Sequence, residues 1–148
     1  MDEEERKKPD VAREYPTQQI VVTWEPKYCI HTANCLNAEP DVFDAMRRPW
    51  IVPDAATAER VAEAVMHCPT GALQFQRLDG GAAEPVPTST VIQPRPNGPL
   101  FLRGDLNFVD VNGEVTRETV RAALCRCGQS RNKPFCDATH RAIGFQAP

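Results

Sequence analysis

The 148-residue chain has no apolar run near the roughly 18–20 residues that a membrane-spanning helix needs. Its first ten residues, MDEEERKKPD, are charged where a secretory leader would be apolar. Together these predict a cytoplasmic protein with no membrane partner. Aromatic residues are scarce at 7% and are not interleaved with basic ones, so no nucleic-acid surface is expected. The chain has no Ser/His/Asp arrangement, no glycine-rich phosphate loop and no internal repeat, and nothing in it marks an enzyme. Cysteine is present but sparse: six residues, about 4%, well below the roughly 8–10% of a disulfide scaffold. Without a sign of an oxidising compartment the cysteines are expected as thiols. Thiols near histidines suggest metal binding, redox chemistry or catalysis, so their positions decide the reading.

The cysteines fall into two groups, Cys29, Cys35 and Cys68 in the first half and Cys125, Cys127 and Cys136 near the end. The stretch GGAAEPVPTST between them has linker composition. This predicts a disordered charged lead over 1–14, a domain over 15–79, a linker over 80–87 and a second domain over 88–148. Domains of this size bury little apolar area, and metal would supply stability to each. The fold class expected is α+β, a small ferredoxin-like domain followed by a small mainly-β one.

In the first domain, Gln19 to Trp24 reads as a strand, being β-branched and aromatic. Cys29 to Cys35 reads as a loop, Pro40 to Met46 as a short helix and Pro49 to Pro53 as a short extended piece. Asp54 can cap a helix running to about His67, with Ala58, Val61, Ala62, Val65 and Met66 as its apolar stripe. His67 then caps its C-terminus, and Ala72 to Phe75 forms a returning strand. Trp24 and Trp50 are expected in packing, with Trp50 able to shield a bound group. In the second domain, Thr90 to Ile92 and Leu100 to Leu102 flank the turn Pro96-Asn97-Gly98-Pro99. Asn112-Gly113 marks a hairpin. Three or four short antiparallel strands are expected, and residues 116–124 fit strand or helix.

The last group of cysteines carries the strongest pattern: Cys125-x-Cys127-x2-Ser130-x3-Pro134-x-Cys136-Asp137-Ala138-Thr139-His140. Cysteines two apart on an extended segment face one side. Cys136 and His140, four apart, share a face on a helical turn, which could begin at Pro134. Four such ligands, three of them thiolates, select zinc or iron–sulfur. Asp137 and Thr139 can fix loop and helix-start amides or the imidazole. The pattern resembles the signature of CDGSH-type, mitoNEET-like iron–sulfur proteins. The resemblance implies a [2Fe-2S] cluster with Cys125 and Cys127 on one iron and Cys136 and His140 on the other. Here Ala138 and Thr139 replace the Gly and Ser of the family motif without removing a ligand. A plainer alternative is a zinc site of three cysteines and one histidine. A neutral imidazole ligand eases reduction relative to all-cysteine ligation, and its protonation competes with the metal. An acid-labile cluster or a pH-dependent potential is therefore expected.

The first group reads Cys29-Ile30-His31-Thr32-Ala33-Asn34-Cys35 with a remote Cys68-Pro69. A bacterial ferredoxin loop has Cys-x2-Cys-x2-Cys and a remote Cys-Pro. Thr32 stands here at the middle position, so three thiolates remain. Three suit a three-iron cluster, and a four-iron cluster would need His31, water or an external group as its fourth ligand. The skeleton resembles single-cluster [3Fe-4S] ferredoxins. The fuller text, with Pro-Asp-Val-Phe-Asp, Arg-Pro-Trp-Ile and Cys-Pro-Thr-Gly-Ala-Leu, resembles the divergent single-cluster [4Fe-4S] ferredoxin family. These resemblances imply Cys29, Cys35 and Cys68 as ligands of a [3Fe-4S] or [4Fe-4S] cluster. Alternatively the three are unrelated buried thiols.

Residues 1–86 hold 9 basic and 15 acidic side chains, whereas residues 117–148 hold 6 and 2. Arg126, Arg131, Lys133 and Arg141 could recruit an acidic redox partner, or simply offset thiolate charge. The expected function is electron transfer between two clusters, with cluster delivery or redox and pH sensing as the alternative. Redox partner proteins or apo-acceptor proteins are the expected partners, and a homodimer is possible.

Overall fold

A computed structural model describes residues 11–148; the first ten residues of the expected lead lie outside the described residues. The described chain forms two compact units, residues 11–68 with 72–85, and residues 69–71 with 86–148. Each is built on a three-stranded antiparallel sheet, which makes the protein α+β.

In the first unit the sheet order is β1 (Arg13–Pro16), β2 (Ile20–Trp24), β3 (Leu73–Arg77). Strand β1 takes in Arg13 and Glu14, which the sequence reading assigned to the lead. They pair with Trp24 and Thr23, and a turn at Thr17 closes the hairpin through Thr17 and Ile20. β2 is a strand as expected, with Ile20 and Val22 buried. Helix α1 spans Asn34–Ala38 and α2 spans Ala58–Met66. The apolar stripe of α2 packs on the sheet through Ala58, Val61, Ala62, Ala64 and Val65, with Ala64 in the place expected for Met66. Thr57, not Asp54, caps α2: its Oγ1 accepts from the Arg60 amide at 3.2 Å. Asp54 instead lies in a 3-10 turn, Pro53–Ala55.

The helix expected over Pro40 to Met46 does not form. Val42 and Phe43 are both buried, but in a turn and an isolated bridge. Phe43 pairs instead with Ile51, and the Asp44 amide donates to the Trp50 carbonyl at 2.8 Å. Arg47 holds this loop by donating to the carbonyls of Asp41, Val42 and Pro49. Trp24 and Trp50 meet edge to face at 5.0 Å, and Trp50 lies 5.9 Å from Phe43. They pack against the core, as expected.

The second unit orders its sheet β4 (Val91–Pro94), β5 (Leu100–Val109), β6 (Val115–Leu124). Residues 116–124 are therefore strand. Three strands suffice because β5 and β6 each run ten residues, with a register shift between Arg103 and Leu106. The hairpin turn at Asn112-Gly113 is tied by Asp110, whose Oδ1 accepts from the Asn112 and Glu114 amides. Edge strand β4 is exposed throughout. Helix α3 is a single turn, Thr139–Ala142. No helix among the described residues is long and apolar enough to cross a membrane.

Phe43 is 1% exposed at the centre of the first unit's core. Phe43→Ala is expected to cost about 3–5 kcal/mol. Both tryptophans of the chain lie in that unit, so urea unfolding followed by tryptophan fluorescence measures the loss.

Candidate metal centres

The second unit brings Cys125, Cys127, Cys136 and His140 to one pocket, which Gly98 and Pro99 also line. The strand end does the first part of this. An antiparallel bridge joins Leu124 to Phe135, so the Cys125 amide donates to the Pro134 carbonyl and the Cys136 amide to the Ala123 carbonyl, both at 2.8 Å. Phe135 anchors that bridge, buried and stacked edge to face on Phe108 at 4.8 Å. Ser130 shapes the loop between: its hydroxyl donates to the Phe135 carbonyl (2.6 Å) and accepts from the Asn132 amide (3.0 Å). Asp137 acts as foreseen, accepting from the Arg131 amide and from the Thr139 amide at the start of α3, each at 2.9 Å.

Cys136 and His140 do not share a helical turn, and no helix begins at Pro134. The turn α3 starts only at Thr139, because Ala138 before it is left-handed, φ 72°. The pair meets all the same, with Cys136 Sγ 3.4 Å from His140 Nδ1. Cys125 Sγ lies 3.8 Å from Cys127 Sγ. Metal–sulfur bonds of about 2.3 Å and metal–imidazole bonds of about 2.0–2.1 Å, at a tetrahedral angle, put two sulfurs about 3.8 Å apart and a sulfur and nitrogen about 3.5 Å apart. Each pair thus has the spacing of two ligands on one metal. A two-iron cluster takes two such pairs, and the donor set fits it; a zinc site would take all four donors around one ion.

Backbone amides point at every sulfur of the site. Gly128 donates to Cys125 (3.3 Å), Gln129 to Cys127 (3.5 Å) and Ala138 to Cys136 (3.4 Å). Burial raises the Cys125 thiol, but the amides of Ser130, Gly128 and Gln129 and the Cys127 side chain outweigh it and bring it below the ordinary value. Burial lifts Cys127, the Gln129 amide opposes, and the neighbouring Cys125 and Asp137 hold it up. Cys136 is raised by burial, then by Asp137 and the other two sulfurs. His140 is lowered by burial and by Arg141, which keeps its imidazole neutral and able to ligate.

In the first unit Cys29 follows a 3-10 turn, Pro26–Tyr28, and its amide donates to the Pro26 carbonyl at 3.1 Å. The loop then passes through two left-handed residues, His31 (φ 57°) and Ala33 (φ 64°), into α1, which carries Cys35. Thr32, at the place of the absent cysteine, accepts from the Asn34 amide at 3.4 Å. Cys68 follows α2, its amide on the Val65 carbonyl at 3.0 Å. Asn34 ties the two helices by donating to the His67 carbonyl at 3.1 Å. His67 is the C-terminal cap residue of α2, and its side chain is exposed. The three cysteines come together: burial pushes the Cys35 thiol up to about 11, and Cys68 and Cys29 add to the rise. His31 is exposed, its Nδ1 3.7 Å from Cys29 Sγ. It stands beside that sulfur, so service on a separate iron would require the ring to turn.

Comparison with known proteins joins the two sites to families. The model of the divergent 4Fe-4S mono-cluster family matches residues 15–78, and that of the iron-binding zinc finger of CDGSH type matches residues 97–141. The uncharacterized protein YjdI, from two strains of Escherichia coli, is 33% identical over 62 residues, 42% of this chain and 82% of YjdI. The chain belongs to the divergent 4Fe-4S mono-cluster family. In this member a CDGSH-type domain follows the ferredoxin-like one, which makes the chain an iron–sulfur protein with two such domains.

Sequence reasoning missed Gly98 and Pro99, which were read only as a turn, and the left-handed residues. For Ala138 the signal was present, since the family motif has glycine at that position. A left-handed non-glycine residue costs roughly 1–2 kcal/mol. Ala138→Gly is therefore expected to stabilise the second domain by about 1 kcal/mol, read as a raised midpoint in denaturant with metal loaded. For Cys35, a pKa near 11 leaves the thiol protonated at neutral pH. In the metal-free protein its alkylation by iodoacetamide should run far slower at pH 8 than that of a free thiol and keep rising toward pH 11. Peptide mass spectrometry follows it, and a rate that levels off below pH 9 would contradict the geometry.

Proposed function

We propose that this chain is an electron-transfer protein that carries two clusters and performs no acid–base or nucleophilic catalysis. Cys125, Cys127, Cys136 and His140 hold a [2Fe-2S] cluster; Cys29, Cys35 and Cys68 hold a [4Fe-4S] or [3Fe-4S] cluster. The observation that carries the reading is the pair of ligand spacings, 3.8 Å for Cys125 with Cys127 and 3.4 Å for Cys136 with His140, each sulfur met by an amide. When bound, such clusters supply one-electron redox chemistry at potentials set by ligand charge, hydrogen bonds to sulfur and solvent access.

The residues present act on each of those quantities. The amides of Gly128, Gln129 and Ala138 spread negative charge from the sulfurs and favour the reduced state. The neutral imidazole of His140 removes one negative charge from the ligand set and works in the same direction. In the first unit Cys35 and Cys68 pack against the apolar core, which limits water on that side. His31 brings a ring nitrogen to 3.7 Å from Cys29 Sγ, so cluster type turns on whether it or an outside group takes the fourth position. Redox partner proteins, a cytoplasmic setting and self-association belong to the same reading. Delivery of the histidine-ligated cluster to an apo-acceptor is the competing use of the same site.

EPR with iron and sulfide counting tests the assignment. Cys125→Ser should leave only the first domain's cluster, with about three or four irons, and Cys35→Ser only the second's, with about two. Both centres should reduce and reoxidise without loss of iron. Zinc in place of iron, or a cluster that breaks down on each reduction while passing readily to an apo-acceptor, would sink the electron-transfer reading.

A further inference from the structure

Arg126 lies between two cysteines yet supplies no ligand, and its guanidinium binds three oxygens on two segments at once. Nε donates to the Gly98 carbonyl (2.9 Å), Nη2 to the Arg95 carbonyl (2.8 Å) and Nη1 to the Pro148 oxygen (2.9 Å). Its carbon centre also stands 5.5 Å from the Phe145 ring centroid. Asn97 and Ala147 lace the same two segments together: the Asn97 amide donates to the Ala147 carbonyl (2.8 Å), and the Ala147 amide donates to Asn97 Oδ1 (3.0 Å). The Phe145 amide donates to the His140 carbonyl at 3.0 Å. The loop reaches the histidine itself. A Cβ built on Gly98 would lie 3.6 Å from His140 Nε2, whereas Nδ1 faces the Cys136 sulfur.

We propose that Arg126 is a positioning residue that straps residues 95–98 to residues 145–148 around His140, and so slows the exit of whatever His140 holds. The inference rests on the reading of Cys125, Cys127, Cys136 and His140 as cluster ligands. A guanidinium can reach three carbonyls at once because its five N–H donors fan out in a rigid plane; an ammonium carries the same charge on one point. The distinction separates a strap from a mere counter-charge beside thiolates. Arg126 is thereby committed within its own domain, which removes it from the basic set available to an acidic partner.

The test follows loss of the visible absorbance of the second cluster in the full-length protein, in excess iron chelator at fixed pH. Arg126→Ala and Arg126→Lys should both lose the cluster at least about fivefold faster than wild type. Arg103→Ala, which removes an exposed charge on β5, should match wild type. Asn97→Gly keeps Arg126 and suits the left-handed backbone there (φ 56°), yet deletes the acceptor for Ala147, so its rate should fall between. Hydrogen exchange at the Asn97 and Ala147 amides should quicken in both Arg126 variants. If Arg126→Lys holds the cluster as wild type does, charge alone explains the residue and the strap is overturned. Unchanged exchange at the two amides overturns it as well. Should Arg126→Ala fail to accumulate, the Lys and Asn97 variants carry the same decision. A wild-type protein without this cluster would instead overturn the ligand assignment.

Discussion

Sulfur ligands must be gathered before they can bind, and gathering them costs free energy. Thiolates a few ångströms apart repel, and burial penalises each charge further. Cys35 shows the cost directly, held up to about 11 by burial and by its two companions. A cation-rich group that accepts all the sulfurs relieves that cost, so metal binding and folding are coupled. Both halves of the molecule are arranged around this constraint.

They meet it by different means. The second unit uses a β-bridge and a short loop to aim amide N–H groups at its sulfurs, enough to bring Cys125 below the ordinary thiol value. Beside its sulfurs stands a neutral imidazole, His140, which adds no charge to the crowd. The first unit spends its three cysteines across a loop, a helix and a helix end, and relies on an apolar core to fix them. Both place an alanine in the left-handed region just before the short helix that bears a donor, Ala33 before α1 with Cys35 and Ala138 before α3 with His140. At neither start does the N-cap alanine supply a cap; the residue before it, Thr32 or Asp137, accepts from the first helical amide instead.

Much of this was legible in the sequence. Fold class, the strands at Ile20 and Leu73, the helix before Cys68 and the grouping of the cysteines follow from alternation, periodicity and spacing. What escaped depends on contacts remote in sequence. Helix α1 buries no residue, so no apolar period could reveal it; Asn34 on the His67 carbonyl helps hold it. The stretch from Pro40 carried apolar residues but in adjacent positions, and pairing with Ile51 decided its form. Cys136 and His140 were rightly paired for the wrong local reason, since the bridge at Phe135 and the kink at Ala138 bring them together. The pattern picks out the candidate donors. The straps, amides and turns around them appear only once the chain is folded.

The span of each donor set has a consequence for what holds it in place. Cys125 to His140 lie within 16 residues, so one hairpin end and its loop suffice to complete that site. Cys29 to Cys68 enclose 40 residues, including α1, the Phe43 loop and the whole of α2. Loop closure alone disfavours the longer span by only about 0.8 kcal/mol. The larger difference is structural: the place of Cys68 is set by the end of α2, which packs on β2 and β3, whereas Cys125 and Cys136 are set by one bridge between neighbouring segments.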